Sequence, residues 1–377
     1  MRVRAESFGA WVKLDDATLV AVDRSWLARL GIDESDVASA AARTSAPLES
    51  HVSITSQCAA PCEGCYQPVS RDGAHVPLTT ILATLDRLAA DGVFTVALGG
   101  GEPLAHPDLA QIGLEARARG LTPVVTTSGI GLTVERAASL TGFQQINVSH
   151  DGIDGGYADV RGFHGESIAT RAIEILTRAG IPVGVNLVLT RGNFARVEAT
   201  ASDIRARGVR ELQLLRYKPA GRAATLSYLD RRLTPEQIAT FPSLLGRLVQ
   251  AQQPEMTVRI DCALVPFLAS AEFPSELLAQ WGVFGCEAGR HLHAIDARGD
   301  DRACSFADRD ALPPSAFRAF AADPPEPCAS CAIRDVCRGG CKIVSQFVGG
   351  AITPDPECPR VRAHDARRAS NAAERTG

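Results

Sequence analysis

The sequence predicts an α/β fold: a partial, TIM-like (β/α)6 barrel with an N-terminal β-hairpin extension and a cysteine-rich C-terminal domain. Three observations predict it. Between about residue 50 and residue 215, six β-prone apolar runs alternate with amphipathic helical patterns, which argues for parallel βα units. The first 48 residues show strand-like alternation instead. After residue 255 the βα rhythm stops, and eight of the eleven cysteines fall there. Right-handed βαβ crossovers curl such a sheet toward a barrel or partial barrel, and the loops after its strands build the active edge.

In chain order, FGAWVKLDDATLVAVD (8–23) reads as a β-hairpin turning at Asp15-Asp16, followed by a short helix. His51–Thr55 is a short strand that runs into a cysteine loop. Over 78–91, Leu78, Ile81, Leu82, Leu85, Leu88 and Ala89 share one helical face, and Asp91-Gly92 stops the helix. Strand 93–98, a helix from Pro107 to Gly120, strand 122–127, a short helix near 133–141 and strand 145–149 follow. Helix 166–179 ends at Gly180, strand 182–190 leads to helix 193–207 with Gly208 behind it, and strand 209–215 is the sixth. Glycine stands just past a helix end because it accepts left-handed dihedrals. The organisation predicted is an extension over 1–48, the barrel over 49–233, a helical linker over 234–255, a cysteine-rich domain over 256–360 and a tail over 361–377 that reads as frayed helix.

The 377 residues suit one large domain with one or two small ones. A net charge of −4 offers no basic field to gather nucleic acid. No long uninterrupted apolar run suggests a membrane span, and MRVRAESFGAWVKLDD lacks the core and cleavage site of a secretory signal. The expected location is the cytoplasm, where disulfides are rare, so eleven cysteines point to metal or redox work.

SQCAAPCEGCY (56–66) holds Cys58, Cys62 and Cys65 at C-x3-C-x2-C spacing. Three thiolates leave one position of a four-iron cluster open; a zinc site with a distant fourth ligand is the competing reading. GGGEP (99–103) follows the second strand, TTSG (126–129) the third and VSHDG (148–152) the fourth, with VRG at 160–162 beyond. Taken singly, Gly-Glu-Pro is a common turn, and Ser149 with Asp151 could simply cap a strand end. Jointly, at the ends of successive strands, they resemble the radical S-adenosylmethionine (SAM) superfamily. The resemblance implies a [4Fe–4S] cluster on Cys58, Cys62 and Cys65 with SAM on the open iron. It assigns SAM contacts to Gly100, Gly101, Glu102 and Pro103, with Glu102 accepting from the ammonium. Ser149 and Asp151 fall to the ribose side, Arg161 to the carboxylate, and Asn186 to a further contact. It also implies an electron donor such as flavodoxin or ferredoxin.

Cys286, Cys304, Cys328, Cys331, Cys337, Cys341 and Cys358 read C-x12-G-x4-C, then C-x2-C-x5-C-x3-C, then a last cysteine. This resembles the SPASM extension of a radical SAM subgroup, which implies two auxiliary [4Fe–4S] clusters. Cys328, Cys331, Cys337 and Cys358 would hold the outer one, and Cys286, Cys304 and Cys341 the inner. Cys262 is either the missing inner ligand or a core thiol. Structural zinc is the competing reading for the set.

Relatives with this extension mostly modify peptides, so the resemblance implies oxidation or cross-linking of a ribosomally made precursor peptide. Action on a tetrapyrrole or other small molecule, and a non-catalytic iron–sulfur or zinc scaffold, are the alternatives. Formylglycine-forming members carry Asp after the cysteine matching Cys304; here Ser305 stands there. The N-terminal hairpin is a possible leader-binding segment. In LLRYKPAGR (214–222), Arg216, Lys218 and Arg222 read as a solvated basic turn or an acidic-ligand site; His291 and His293 read as non-catalytic, and His150 and Tyr66 as possible donors or stackers at the active edge.

Overall fold

The computed structural model describes residues 2–16, 18–31, 46–252, 254–271 and 273–376. Its N-terminal part is a three-stranded antiparallel sheet of β1 (Arg2–Glu6), β2 (Gly9–Lys13) and β3 (Leu19–Asp23). The hairpin expected from the sequence is β2–β3, paired from Gly9↔Asp23 to Lys13↔Leu19; β1 is an added strand. Two 3-10 turns, Arg24–Trp26 and Ala28–Leu30, follow it, and the rest of the expected short helix lies outside the described residues.

The barrel comprises β4 (Glu49–Thr55), α1 (Leu78–Ala90), β5 (Thr95–Gly100), α2 (Leu109–Ala118), β6 (Thr122–Thr127), α3 (Val134–Ser139) and β7 (Gln145–Ser149), then α4 (Gly156–Arg161), α5 (Glu166–Arg178), β8 (Val183–Leu189), α6 (Val197–Ala206) and β9 (Glu211–Arg216). The chain continues through α7 (Ser227–Arg231), α8 (Pro235–Gln252), β10 (Thr257–Ile260), α9 (Ser275–Gln280), β11 (Leu292–Ile295), β12 (Asp301–Arg302), α10 (Pro314–Ala322), α11 (Arg334–Cys337), α12 (Lys342–Gly349) and α13 (Pro359–Thr376). One sheet has the order β10-β9-β8-β7-β6-β5-β4-β11-β12, parallel throughout except that β12 runs antiparallel to β11. All six expected strands are present in sequential order. The cysteine-rich region adds β10 beside β9 and β11 beside β4, so it extends the sheet at both edges.

Alternation along the strands sorts the two faces. Val52, Ile54, Val125, Ile146, Val148, Val185, Leu187, Leu212 and Leu214 are buried against helices, where α1 supplies Ile81, Leu85 and Leu88 and α5 supplies Ile173 and Leu176. The intervening residues, Glu49, His51, Ser53, Thr126, Asn147, Ser149, Asn186 and Gln213, line a cavity inside the curl. Gly184 permits this: a Cβ there would sit 2.1 Å from Asn147 Oδ1 on the neighbouring strand.

The N-terminal sheet docks at the opposite end of the strands from the cysteine loop. Arg2 donates to the carbonyls of Ala89 and Val93, and Arg4 to those of Pro47 and Gly92. Both guanidiniums lie over the ring of Phe94. Among the described residues, no helix is long and apolar enough to cross a membrane.

Candidate functional site

The loop after β4 is stapled on several sides. Cys58 N donates to Ser70 O at 2.8 Å, Arg222 N to Cys65 O at 2.8 Å and Arg222 Nε to Cys62 O at 3.0 Å. Gly101 N donates to Thr55 O at 2.7 Å and Glu102 N to Gln57 O at 2.8 Å. A Cβ on Gly100 or Gly101 would lie 2.4 Å from Thr55 O or 2.1 Å from Gln57 O, so these glycines let the β5 end lie against the cysteine loop. Gly99, the first glycine of the GGGEP motif, has open space where its Cβ would be and lines the cavity.

Cys58, Cys62 and Cys65 line one cavity of about 380 Å³ together with Gly99–Glu102, Ser149, Arg161 and Asn186. All three thiols are free. Burial pushes Cys58 and Cys65 above the ordinary thiol range, so an electron-poor metal centre would be needed to hold them as thiolates. The Asn186 amide donates to Thr126 Oγ1 at 3.3 Å, while its Oδ1 is buried without a donor. A ligand that offers an N–H or O–H would satisfy it.

Two acids of the sequence motifs are engaged with the protein itself. Glu102 is buried; its Oε1 accepts from Leu104 N at 3.0 Å and Thr127 Oγ1 at 2.5 Å, and its Oε2 from Ser128 N at 2.8 Å and from Ser128 Oγ. Burial raises its pKa against these hydrogen bonds. Asp151 does not line the cavity. Its Oδ2 accepts from Arg161 Nε and its Oδ1 from Val188 N at 2.7 Å. Burial alone would lower the pKa of Arg161, yet Asp151, then Cys62 and Tyr157, hold it above the ordinary range. Arg161 Nη1 stands 3.8 Å from Cys62 Sγ. Pro103 starts a 3-10 turn behind the cavity wall and does not line it. His150 is also corrected: it is buried outside the cavity, beside Thr170 Oγ1 at 3.2 Å.

The cavity opens onto a cleft of about 830 Å³, and the two share Ser53, Tyr66, Gln67, Val69, Ser305 and Phe306. Tyr66 stacks on Phe306 with centroids 4.3 Å apart, and Lys218 Nζ lies 4.5 Å from the centroid of the same Phe306 ring. Ser305 is part of a hydrogen-bonded chain: His51 Nδ1 meets Ser305 Oγ at 2.8 Å, and His51 Nε2 meets Glu49 Oε1 at 2.9 Å. A carboxylate only accepts, so the ring proton belongs on Nε2 and Nδ1 accepts the serine hydroxyl. Alternation along β4 was the available signal for His51.

The basic turn is not solvated. Arg216 is buried against Asp355 (2.6 and 3.0 Å) and Glu357 (2.8 Å), and Lys218 is paired with Asp261. Arg222 is the exposed member and serves the cysteine loop.

Cys328, Cys331, Cys337 and Cys358 line a second small cavity. Burial raises Cys328 to about 11 and Cys358 to about 12, and pushes Cys337 higher. The thiols of Cys286, Cys304 and Cys341 interact electrostatically, and a hydrogen bond joins Cys262 to Cys286. That bond lowers Cys286 to about 7 and raises Cys262. Among the described residues, no three His, Cys, Asp or Glu side chains close round a single ion. Soft thiol donors in separate sets, two of them lining cavities, suit iron–sulfur cubanes, whose ligands stand further apart than those of one zinc ion.

Residues 52–204 match the radical SAM superfamily. The chain is 30% identical over 328 residues to mycofactocin maturase MftC of Mycobacterium tuberculosis, covering 81% of each chain. It is 27% identical over 342 residues to the PqqA peptide cyclase of Ruegeria pomeroyi, covering 85% of this chain and 89% of that one. The crystal structure of Streptococcus suis SuiB bound to S-adenosylmethionine superposes with a TM-score of 0.71 at 15% identity, over 95% of this chain and 98% of that one; SuiB bound to its precursor peptide SuiA matches equally. At that identity the likeness concerns the fold.

Proposed function

The chain belongs to the radical SAM superfamily, and from that premise we propose that it oxidises or cross-links a ribosomally made precursor peptide, in the cytoplasm. One observation carries the peptide assignment beyond the likeness to peptide maturases. The cysteine-lined cavity opens directly onto a cleft about twice its size, which leaves room for a chain segment once SAM is in place.

In this reading Cys58, Cys62 and Cys65 hold a [4Fe–4S] cluster with one iron open to SAM. Bound there, SAM and the reduced cluster would supply the radical chemistry that removes a hydrogen atom from the substrate. Arg161, held by Asp151 through Nε, would offer its remaining N–H groups to the SAM carboxylate. Asn186 Oδ1 would accept from the N–H or O–H groups of SAM, the Ser149 hydroxyl would donate or accept, and Gly99 leaves the wall open beside it. Glu102 ties the β5 loop to the β6 loop and shapes that wall. The Tyr66–Phe306 stack stands between cavity and cleft and shields the reacting carbon from water. A proton lost from the oxidised substrate passes to Ser305 Oγ as that hydroxyl gives its own to His51 Nδ1, with Glu49 steadying the imidazolium.

Auxiliary clusters, where bound, would supply an acceptor for the electron that the substrate loses. Cys262, hydrogen-bonded to Cys286, would complete a four-thiolate inner set with Cys304 and Cys341, and a cluster held by four thiolates would supply electron transfer with no iron open to substrate. The outer cluster rests on Cys328, Cys331, Cys337 and Cys358. A flavodoxin or ferredoxin would supply the electron for the cluster held by Cys58, Cys62 and Cys65. Among the described residues β3 pairs on one side only, and its free edge is where a leader segment would add a strand, remote from the cavity.

The test is anaerobic co-expression with a short peptide encoded beside the gene, followed by mass spectrometry. The expected product is lighter by about two hydrogens. His51→Gln should keep forming 5′-deoxyadenosine while the peptide product falls. An unchanged peptide, with 5′-deoxyadenosine still formed, would sink the peptide assignment.

A further inference from the structure

Three lysine or arginine side chains are buried among the C-terminal cysteines, and two of them have carboxylates. Arg216 has Asp355 and Glu357, and Lys218 has Asp261. Lys342 is different. It is 2% exposed, yet its Nζ donates to the carbonyls of Arg338 and Gly340, each 3.1 Å away, and lies 3.7 Å from the centroid of the Phe320 ring. Asp355 acts on it, but both Asp355 oxygens are taken by Arg216. A buried ammonium is costly unless opposite charge stands near. The other groups that act on its charge are thiols. It interacts with Cys286 and Cys341 of the inner set and with Cys337 and Cys328 of the outer set. It directly follows Cys341, and its Nζ is 3.1 Å from where a Cβ on Gly339 would be, at the wall of the outer cavity.

We propose that Lys342 is the shared counter-charge of both auxiliary clusters, held between them by the Phe320 ring and two carbonyls, and that it raises their reduction potentials together. Reduction adds negative charge to each cluster, and a fixed cation nearby in a poorly solvated site favours the reduced form. The proposal rests on the assignment of these cysteines as cluster ligands.

The test is EPR-monitored redox titration of anaerobically purified full-length enzyme, with iron and sulfide counted first. In loaded Lys342→Met, both auxiliary potentials should fall until the oxidised-to-reduced ratio at fixed potential is about tenfold higher, 59 mV for a one-electron couple. The cluster on Cys58, Cys62 and Cys65 should not move, and Lys342→Arg should keep the wild-type values. Loaded Lys342→Met with unmoved auxiliary potentials overturns the proposal. If Met empties the sites, Lys342→Gln, which keeps N–H donors for the two carbonyls, is titrated in its place under the same criterion. Sites emptied by Met and Gln but filled by Arg show that the charge is required. Sites emptied by all three make Lys342 a loop-closing residue and overturn it. Wild-type enzyme without auxiliary iron would instead refute the cluster assignment, and the iron count shows this before any variant is made.

Discussion

Glu102 and Asp151 stand at strand ends among glycines and look in the sequence like two acids facing a ligand. The fold gives them different work. Asp151 aims Arg161 and accepts from Val188 N, while Glu102 is surrounded by Leu104, Thr127 and Ser128. Spacing places an acid at the active edge, but only packing decides whether its oxygens meet a ligand or a neighbour. Asn186 is the opposite case. Its Oδ1 is buried and lacks a donor, a loss worth about 1–3 kcal/mol that a bound ligand would recover. Asn186→Ala should therefore weaken SAM binding by about tenfold and leave the iron content unchanged, as read by equilibrium titration of the anaerobic enzyme. Unaltered affinity would remove Asn186 from the site.

At the scale of elements, the six barrel strands were legible because each couples a β-prone run to an amphipathic helix. β10, β11 and β12 were not, being two to four residues long and partly polar. Nor was the docking of the N-terminal sheet, which depends on contacts distant in sequence. His291, just before β11, meets Trp11 of β2 edge-on at 5.9 Å. Its Nδ1 is buried without a partner, and burial, helped by Arg290, Arg338 and Arg4, lowers its pKa from 6.5 to about 4. The neutral ring thus favours the docked state above pH 6.5, and this contribution is lost as the pH falls toward 4. Amide exchange in β2 should speed up across that window in the wild type and less so in His291→Phe. Identical profiles in the two proteins would exclude His291 as the cause.

In the whole molecule, the barrel and the cysteine-rich region are joined through buried charge. Arg216, at the end of β9, reaches Asp355 across 139 residues of chain. Asp355 also accepts from Cys341 N at 3.0 Å, and Glu357, one residue before Cys358, accepts from Tyr228 and Arg232. A reading that sees only neighbours in sequence takes LLRYKPAGR for a solvated turn, because the acids that bury it lie so far away. The grouping of the cysteines was legible, since their spacing is a local property of the chain. The outer four, Cys328, Cys331, Cys337 and Cys358, line a cavity separate from the one lined by Cys58, Cys62 and Cys65.

All of this depends on the Cys58, Cys62 and Cys65 cluster keeping one iron free for SAM. The most direct measurement is the EPR spectrum of the dithionite-reduced, anaerobic enzyme before and after SAM is added, with 5′-deoxyadenosine assayed in the same sample. The expected result is a changed signal from that cluster and formation of 5′-deoxyadenosine, both absent when the three cysteines are replaced by alanine. A fully loaded cluster whose spectrum ignores SAM, with no 5′-deoxyadenosine formed, would contradict it.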